Sequence, residues 1–260
     1  MAPRQPAQIG GLARSILLGM VVAAGLVAFV TIRPHQPWLL WLTAILVTFS
    51  VDGIVRANPR WQGANPAASL VYALLPALAA LGAGLFIDHA VNGFGRPAAA
   101  LVPAVGVAFI AYWEYLTVDT TARRYGSVRL ALAVATYLAA FALYAIIYAN
   151  DIGLFLSTAC TGLVSFALAL ELLRESRPLG PSAVLVSFAI AVSLAELRLA
   201  LYFFPLDGLL AGALLIIGFY LATGLVHHIL DHDLEWATAA EYLVVAAVGT
   251  VAVVITRVAV

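Results

Sequence analysis

Lysine is missing from this 260-residue chain, because all 13 basic residues are arginine. A Schiff base with retinal or pyridoxal phosphate needs a lysine amine, as does a P-loop, so these chemistries are excluded. Cysteine is nearly missing as well: Cys160 is the single one and cannot form a disulfide within the chain. The 13 acidic residues bring the net charge to zero, and nothing favours nucleic acid as a partner.

Charged residues are scarce, at 10% of the chain against 64% hydrophobic residues. Soluble proteins carry about 25% charged residues. The apolar runs continue for about 20 residues, the length of a helix that crosses a bilayer, whereas strands of a membrane barrel alternate apolar and polar residues. We therefore predict an all-α, polytopic integral membrane helical bundle in contact with the lipid bilayer. It forms one domain, 1–260, with no soluble domain.

Nine spans are predicted, although a count of eight stays open. The arginines give them an orientation, since nine lie at one set of span ends and four at the other. Arginine-rich ends face the cytoplasm, so we expect a cytoplasmic N-terminus in a bacterial inner membrane. Protein partners in that membrane, or a homo-oligomer, are possible. The spans are 15–32, 37–55, 67–87, 97–117, 128–149, 152–173, 181–203, 205–226 and 237–257.

A short pattern recurs at three of the predicted cytoplasmic span ends: an acidic residue, then two arginines, then glycine. A repeat of helical hairpins would produce it. Arginines that reach for water at helix ends, followed by a glycine that ends the helix, would produce it equally well. The three copies are Asp52, Arg56, Arg60 and Gly63; Asp119, Arg123, Arg124 and Gly126; and Glu171, Arg174, Arg177 and Gly180.

The densest polar cluster is His227–Asp233, at the cytoplasmic end of the eighth span. In a continuing helix, His228 and His232 lie one turn apart on one face, which is a spacing for zinc or another divalent metal. Asp231 is the nearest third ligand, and the only cofactor we consider is such a metal. A solvated loop at the interface explains the same residues without a metal.

Glu196 and Arg198 lie near the outer end of the seventh span. A charge at that depth costs on the order of 2–3 kcal/mol or more, so we expect Glu196 to face protein, either as a proton or ion site or as a clamp between helices. Arg198 is two positions after Glu196 and so lies toward the far side of the helix, which makes it a poor partner for Glu196. Asp207, across the next turn, is the better candidate partner for Arg198.

Carboxylates also occur at the inner-leaflet ends of three other spans. Glu114 and Asp119 flank the end of the fourth span beside Tyr115 and Thr120. Glu171 and Glu241 occupy similar depths in the sixth and ninth spans. Together these groups form a possible polar or ion site opening to the cytoplasm, and interfacial ion pairs explain them equally well.

Two short segments of the chain partly match the motifs of known families. The segment Asp52–Ala57 resembles the opening of the CDP-alcohol phosphotransferase motif, but its alanine and arginine are displaced and the later paired aspartates are missing. His228 and His232 resemble the His-x-x-x-His of alkaline-ceramidase-like membrane hydrolases. The companion Ser-x-x-x-His of that family is absent, because Leu85 stands four residues before His89. Neither segment assigns a family.

These observations favour a non-enzymatic membrane protein, either a small transporter or carrier or a subunit of a membrane complex. The alternative is a metal-dependent membrane-embedded hydrolase built on the histidine cluster.

The topology can be tested with reporter fusions. Nine spans and a cytoplasmic N-terminus place the C-terminus outside, so alkaline phosphatase fused there should be active and a fluorescent protein dark. A fusion at Thr121, after four spans, is the internal control and should give the reverse pattern. A fluorescent C-terminal fusion would mean that the span count is wrong by one.

Overall fold

The computed structural model describes residues 6–32, 34, 36–61, 66–150, 152–174, 181–204, 206–231 and 235–259. Within these ranges the chain forms nine helices and no strand, and each helix is long and apolar enough to cross a membrane. The prediction of an all-α membrane bundle is confirmed. The helices are α1 (Pro6–Thr31), α2 (Pro37–Arg56), α3 (Pro66–Ala90), α4 (Gly95–Thr117), α5 (Tyr125–Ala149), α6 (Leu154–Leu173), α7 (Pro181–Leu201), α8 (Gly208–Asp231) and α9 (Trp236–Ala259).

Proline and glycine set many of the helix boundaries. Helices α1, α2, α3 and α7 each begin at a proline, which fits a first helical position because that N–H has no partner within the helix. Gly93 (φ 72°) and Gly153 (φ 85°) lie in the turns that precede α4 and α6. Only glycine adopts such positive φ values without steric cost.

The structure moves two boundaries that the sequence predicted. Helix α1 begins at Pro6, nine residues before the predicted start of the first span. Helix α8 continues through Asp231, five residues past the predicted end of the eighth span, so His227 and His228 are helical. Pro76 and Pro103 lie inside α3 and α4 without ending them, as is tolerated in membrane helices whose neighbours supply polar partners.

The chain divides into two units within α5: unit 1 ends at Ala139, and unit 2 begins at Ala140. In unit 1, α1 packs against α2, α3 and α4, and α3 also packs against α2 and α4. In unit 2, α6 packs against α7 and α8, α7 against α8, and α8 against α9. Most of α9 is exposed, as expected of a helix that faces lipid.

Small residues allow the helices of unit 1 to approach closely. A Cβ atom on Gly25 of α1 would collide with the Thr43 side chain of α2, and one on Gly19 would lie 2.9 Å from the Ala108 Cβ of α4. Membrane helices gain little from hydrophobic burial against one another, so close contact between backbones supplies much of their packing energy.

Gly25→Ala should destabilise unit 1, since Thr43 is buried and its β-branched side chain has few other rotamers. We expect a loss of about 1–3 kcal/mol from overpacking, measured by thermal unfolding in detergent. Gly10→Ala in the same helix is the matched control, because nothing lies within 4 Å of its Cβ position. Equal midpoints for the two variants would contradict this account of the α1–α2 contact.

Candidate functional site: a basic pocket at the ends of α2, α4 and α5

A pocket of about 290 Å³ opens in unit 1 where α2 and α4 end and α5 begins. Its lining is polar and aromatic to a degree unusual for this apolar chain, with three arginines, three tyrosines, one asparagine and one aspartate. The lining residues are Asn58, Pro59, Arg60, Tyr112, Tyr115, Leu116, Asp119, Ala122, Arg123, Arg124, Tyr125 and Val128.

Asn58 holds the α2 end of the pocket against the α4 end. Its Nδ2 donates a hydrogen bond of 2.8 Å to the backbone oxygen of Tyr115, and its Oδ1 accepts one of 3.0 Å from the backbone N–H of Arg60. The Tyr115 oxygen belongs to the last turn of α4, where carbonyls have no partner within the helix. Asn58 therefore caps α4 and at the same time fixes the backbone of Arg60.

Asp119 is the acidic residue of the pocket, and its Oδ1 atom has three partners. It forms an ion pair with Arg60, and its Oδ1 accepts hydrogen bonds from the hydroxyl and the backbone N–H of Thr121 at 2.8 and 3.2 Å. Burial raises the pKa of Asp119, but the hydrogen bonds from Thr121 and Arg60 outweigh it and leave that pKa below its ordinary value. The group is therefore a carboxylate at neutral pH.

Arg123 and Arg124 supply the positive charge that remains. Both are exposed, and neither forms an ion pair within the described part of the chain. Three guanidinium groups against one carboxylate leave the lining with two positive charges in excess. The pocket also lies at the N-terminus of α5, where the helix dipole adds positive potential.

The recurring acidic–arginine pattern explains why this excess arises here. In its first and third copies the acid pairs with an arginine three or four residues on: Asp52 with Arg56 at 2.9 Å within α2, and Glu171 with Arg174, the residue that caps the end of α6, at 2.8 Å. Such pairs require neighbours three or four apart on a helix. In the second copy α4 has already ended at Thr117. Asp119 therefore lies in a turn and pairs with Arg60.

Asp52, the acidic residue nearest in sequence to the pocket residues that follow α2, also has partners. Asp52 accepts hydrogen bonds from Arg56 and from the hydroxyl of Ser69, which is fully buried on α3. This carboxylate is thus partnered within its own α2–α3 cluster.

Of the predicted polar site, the structure brings Tyr115 and Asp119 into the pocket. Glu114 does not line it: this residue is buried on α4, and the hydroxyl of Thr117 donates to its backbone oxygen at 2.9 Å. Glu171 and Glu241 belong to unit 2, where Glu171 is buried with Arg174 and Glu241 is exposed on α9.

The structure places Glu196 and Arg198 in different environments. Glu196 lies on the exposed face of α7, whereas Arg198 is buried, with 2% of its surface exposed. The guanidinium carbon of Arg198 lies 4.4 Å from the centre of the Tyr148 ring. Asp207, the expected partner of Arg198, accepts a hydrogen bond of 2.7 Å from the N–H of Leu210 and caps α8.

The histidine cluster falls partly outside the described residues. His232, Asp233 and the side chain of Asp231 lie outside them. His228 lies on α8 with its ring 5.7 Å from that of Tyr242 on α9. The metal site of His228, His232 and Asp231 therefore stays a prediction.

The sequence indicated some pocket residues and missed others. Arg60, Arg123 and Arg124 served to orient the chain and as members of the recurring acidic–arginine pattern, and Asn58 was not predicted as a site residue. An asparagine between two arginines at a helix end, matched by an Asp–Arg–Arg group at a later helix end, was the available signal.

Asn58→Ala should loosen the pocket, because it removes the hydrogen bonds to the Tyr115 oxygen and from the Arg60 N–H. We expect a loss of about 1–3 kcal/mol in stability, visible as a lower thermal midpoint. Asn92→Ala is the control, since Asn92 is exposed and contacts Arg96 only at 3.5 Å. Equal losses in the two variants would contradict a special role for Asn58.

Comparison with known proteins assigns the chain to a family. No curated protein and no solved structure matches it. A family model described as "Protein of unknown function (DUF5656)" matches residues 14–256. The matched segment runs from α1 into α9 and includes every residue of the basic pocket, so the chain belongs to the DUF5656 family.

Proposed function

We propose that this protein is a non-enzymatic membrane protein that binds an anionic group in the basic pocket, as a small carrier or as a subunit of a membrane complex. The observation that carries the proposal is the pocket's excess of two positive charges.

The positions of the charges support binding of an anion. Arg60 is occupied by Asp119 and Thr121, which leaves Arg123 and Arg124 on the neighbouring turn to meet a ligand. Guanidinium groups bind phosphate and carboxylate oxygens with charge-assisted, often bidentate hydrogen bonds. The dipole of α5, whose N-terminus lies at the pocket, adds positive potential to the same site.

The state of Asp119 favours binding over catalysis. A general base works best with a pKa near the pH at which it operates. The pKa of Asp119 is instead lowered, and Arg60 and Thr121 both contact its Oδ1 atom. The other lining side chains are arginine, tyrosine, asparagine and apolar residues, a set suited to holding an anion.

Inorganic pyrophosphate in an uncharged detergent is a direct test. A ligand at ten times its Kd stabilises the folded state by roughly 1.4 kcal/mol, which corresponds to a rise in thermal midpoint of roughly 3–6 °C for a chain of this size. Sodium chloride at equal ionic strength should give no such rise.

Arg123→Gln and Arg124→Gln should each reduce the shift. Arg257→Gln makes the same charge change at an exposed position of α9 and should keep it. If pyrophosphate gives no shift, or gives one that is unchanged in both pocket variants, the proposed function is wrong.

A further inference from the structure

We infer that the anion held by the basic pocket is the phosphate of a membrane phospholipid, with an acyl chain along α4. This inference rests on the proposed function, because it names the ligand of the same pocket.

The depth of the pocket places it at the membrane surface. It is formed where spanning helices end, since α2 ends at Arg56, α4 at Thr117, and α5 begins at Tyr125. Tyrosine is enriched at the level of lipid headgroups, and basic pockets between spanning helices bind anionic headgroups. Three tyrosines and three arginines in one lining match that environment.

An apolar stripe connects the pocket to the hydrocarbon region. Leu101, Val105 and Phe109 are exposed on α4, and steps of three and four residues lead on from Phe109 to Tyr112 and Leu116, which line the pocket. Residues at this spacing lie along one face of a helix. A ligand in the pocket can therefore continue down this face without crossing a polar barrier.

The length of the stripe fits one leaflet. Leu101 and Tyr112 are separated by about 16 Å along the helix axis, and half of a bilayer core is about 15 Å. A free phosphate would use only the polar end of this site, whereas a phospholipid would use both the polar end and the stripe.

The charge of the pocket favours an anionic lipid over a zwitterionic one. A phosphate monoester carries between about −1.5 and −2 charges at neutral pH, which matches the two excess positive charges. In a zwitterionic lipid such as phosphatidylcholine, the positively charged choline group would lie close to Arg123 and Arg124, and the like charges would repel each other.

The test uses the full-length protein in uncharged detergent with three probes: dioleoyl phosphatidic acid, dioleoyl phosphatidylcholine and glycerol 3-phosphate. Native mass spectrometry measures the bound lipid, and glycerol 3-phosphate is added as a competitor. Phosphatidic acid should be retained at least tenfold better than phosphatidylcholine. Arg123→Gln and Arg124→Gln should each weaken it about tenfold, the effect of one charge-assisted hydrogen bond, and Arg257→Gln should leave it unchanged.

Phe109→Ala separates the two sources of phosphate. It should weaken phosphatidic acid about fourfold, the effect of roughly one buried methylene, without changing the affinity for glycerol 3-phosphate. Because Phe109 is exposed, this variant is expected to fold, which monodisperse elution and an unchanged helical spectrum would verify.

Two outcomes overturn the inference and differ in their consequence. If glycerol 3-phosphate binds as tightly as phosphatidic acid, the lipid is wrong and the anion-binding function stands. If the wild-type protein retains none of the three probes and pyrophosphate gives no thermal shift, both the inference and the proposed function fail.

Discussion

Hydrocarbon offers no hydrogen-bond partner to a peptide group, and this constraint shapes the described chain. Inside the bilayer a helix satisfies its own backbone, but its last four carbonyls still need partners at the membrane surface. Side chains at the helix ends supply some of them. Arg96 donates to the backbone oxygens of Val91 and Asp88 at the end of α3, and Asn58 donates to that of Tyr115 at the end of α4. Polar chemistry in this protein is concentrated at such places.

The capping of α4 also explains the charge of the pocket. Asn58 fixes Arg60 beside the turn that follows α4, and Asp119 lies in that turn instead of on the helix. Asp119 therefore forms its ion pair with Arg60 and forms none with Arg123, which follows it by four residues. In the other copies of the pattern the acid lies on the helix and pairs with an arginine in its last turn or at its C-cap. Because α4 ends two residues before Asp119, the surface beside this acid is cationic. In the other two copies the acid neutralises the arginine that follows it.

The sequence predicted the number and positions of the helices because the length of an apolar run is a strong signal. It predicted poorly which side chains of a helix face protein and which face lipid. A soluble helix shows its buried face as a polar–apolar period, but a membrane helix is apolar toward protein and toward lipid alike. Asn58 could not be identified as a pocket residue for a different reason: its partner, the Tyr115 oxygen, is 57 positions away and depends on the packing of α2 against α4.

Glu196 and Arg198 show that the free-energy cost of a charge at membrane depth does not by itself predict which side chain is buried. The inward orientation of Glu196 followed from the expense of a charge at membrane depth, yet this residue lies five positions before the end of α7. Five residues along a helix are about 7.5 Å, so Glu196 lies near the end of the span, where a charge costs less than at its centre. Arg198 is closer still to the helix end but is buried, because the Tyr148 ring offers its guanidinium a cation–π contact at 4.4 Å. The Tyr148 hydroxyl meanwhile bonds the Leu201 and Phe204 carbonyls at 2.9 and 2.7 Å. The Tyr148 ring, which lies on another helix, thus accounts for the burial of Arg198.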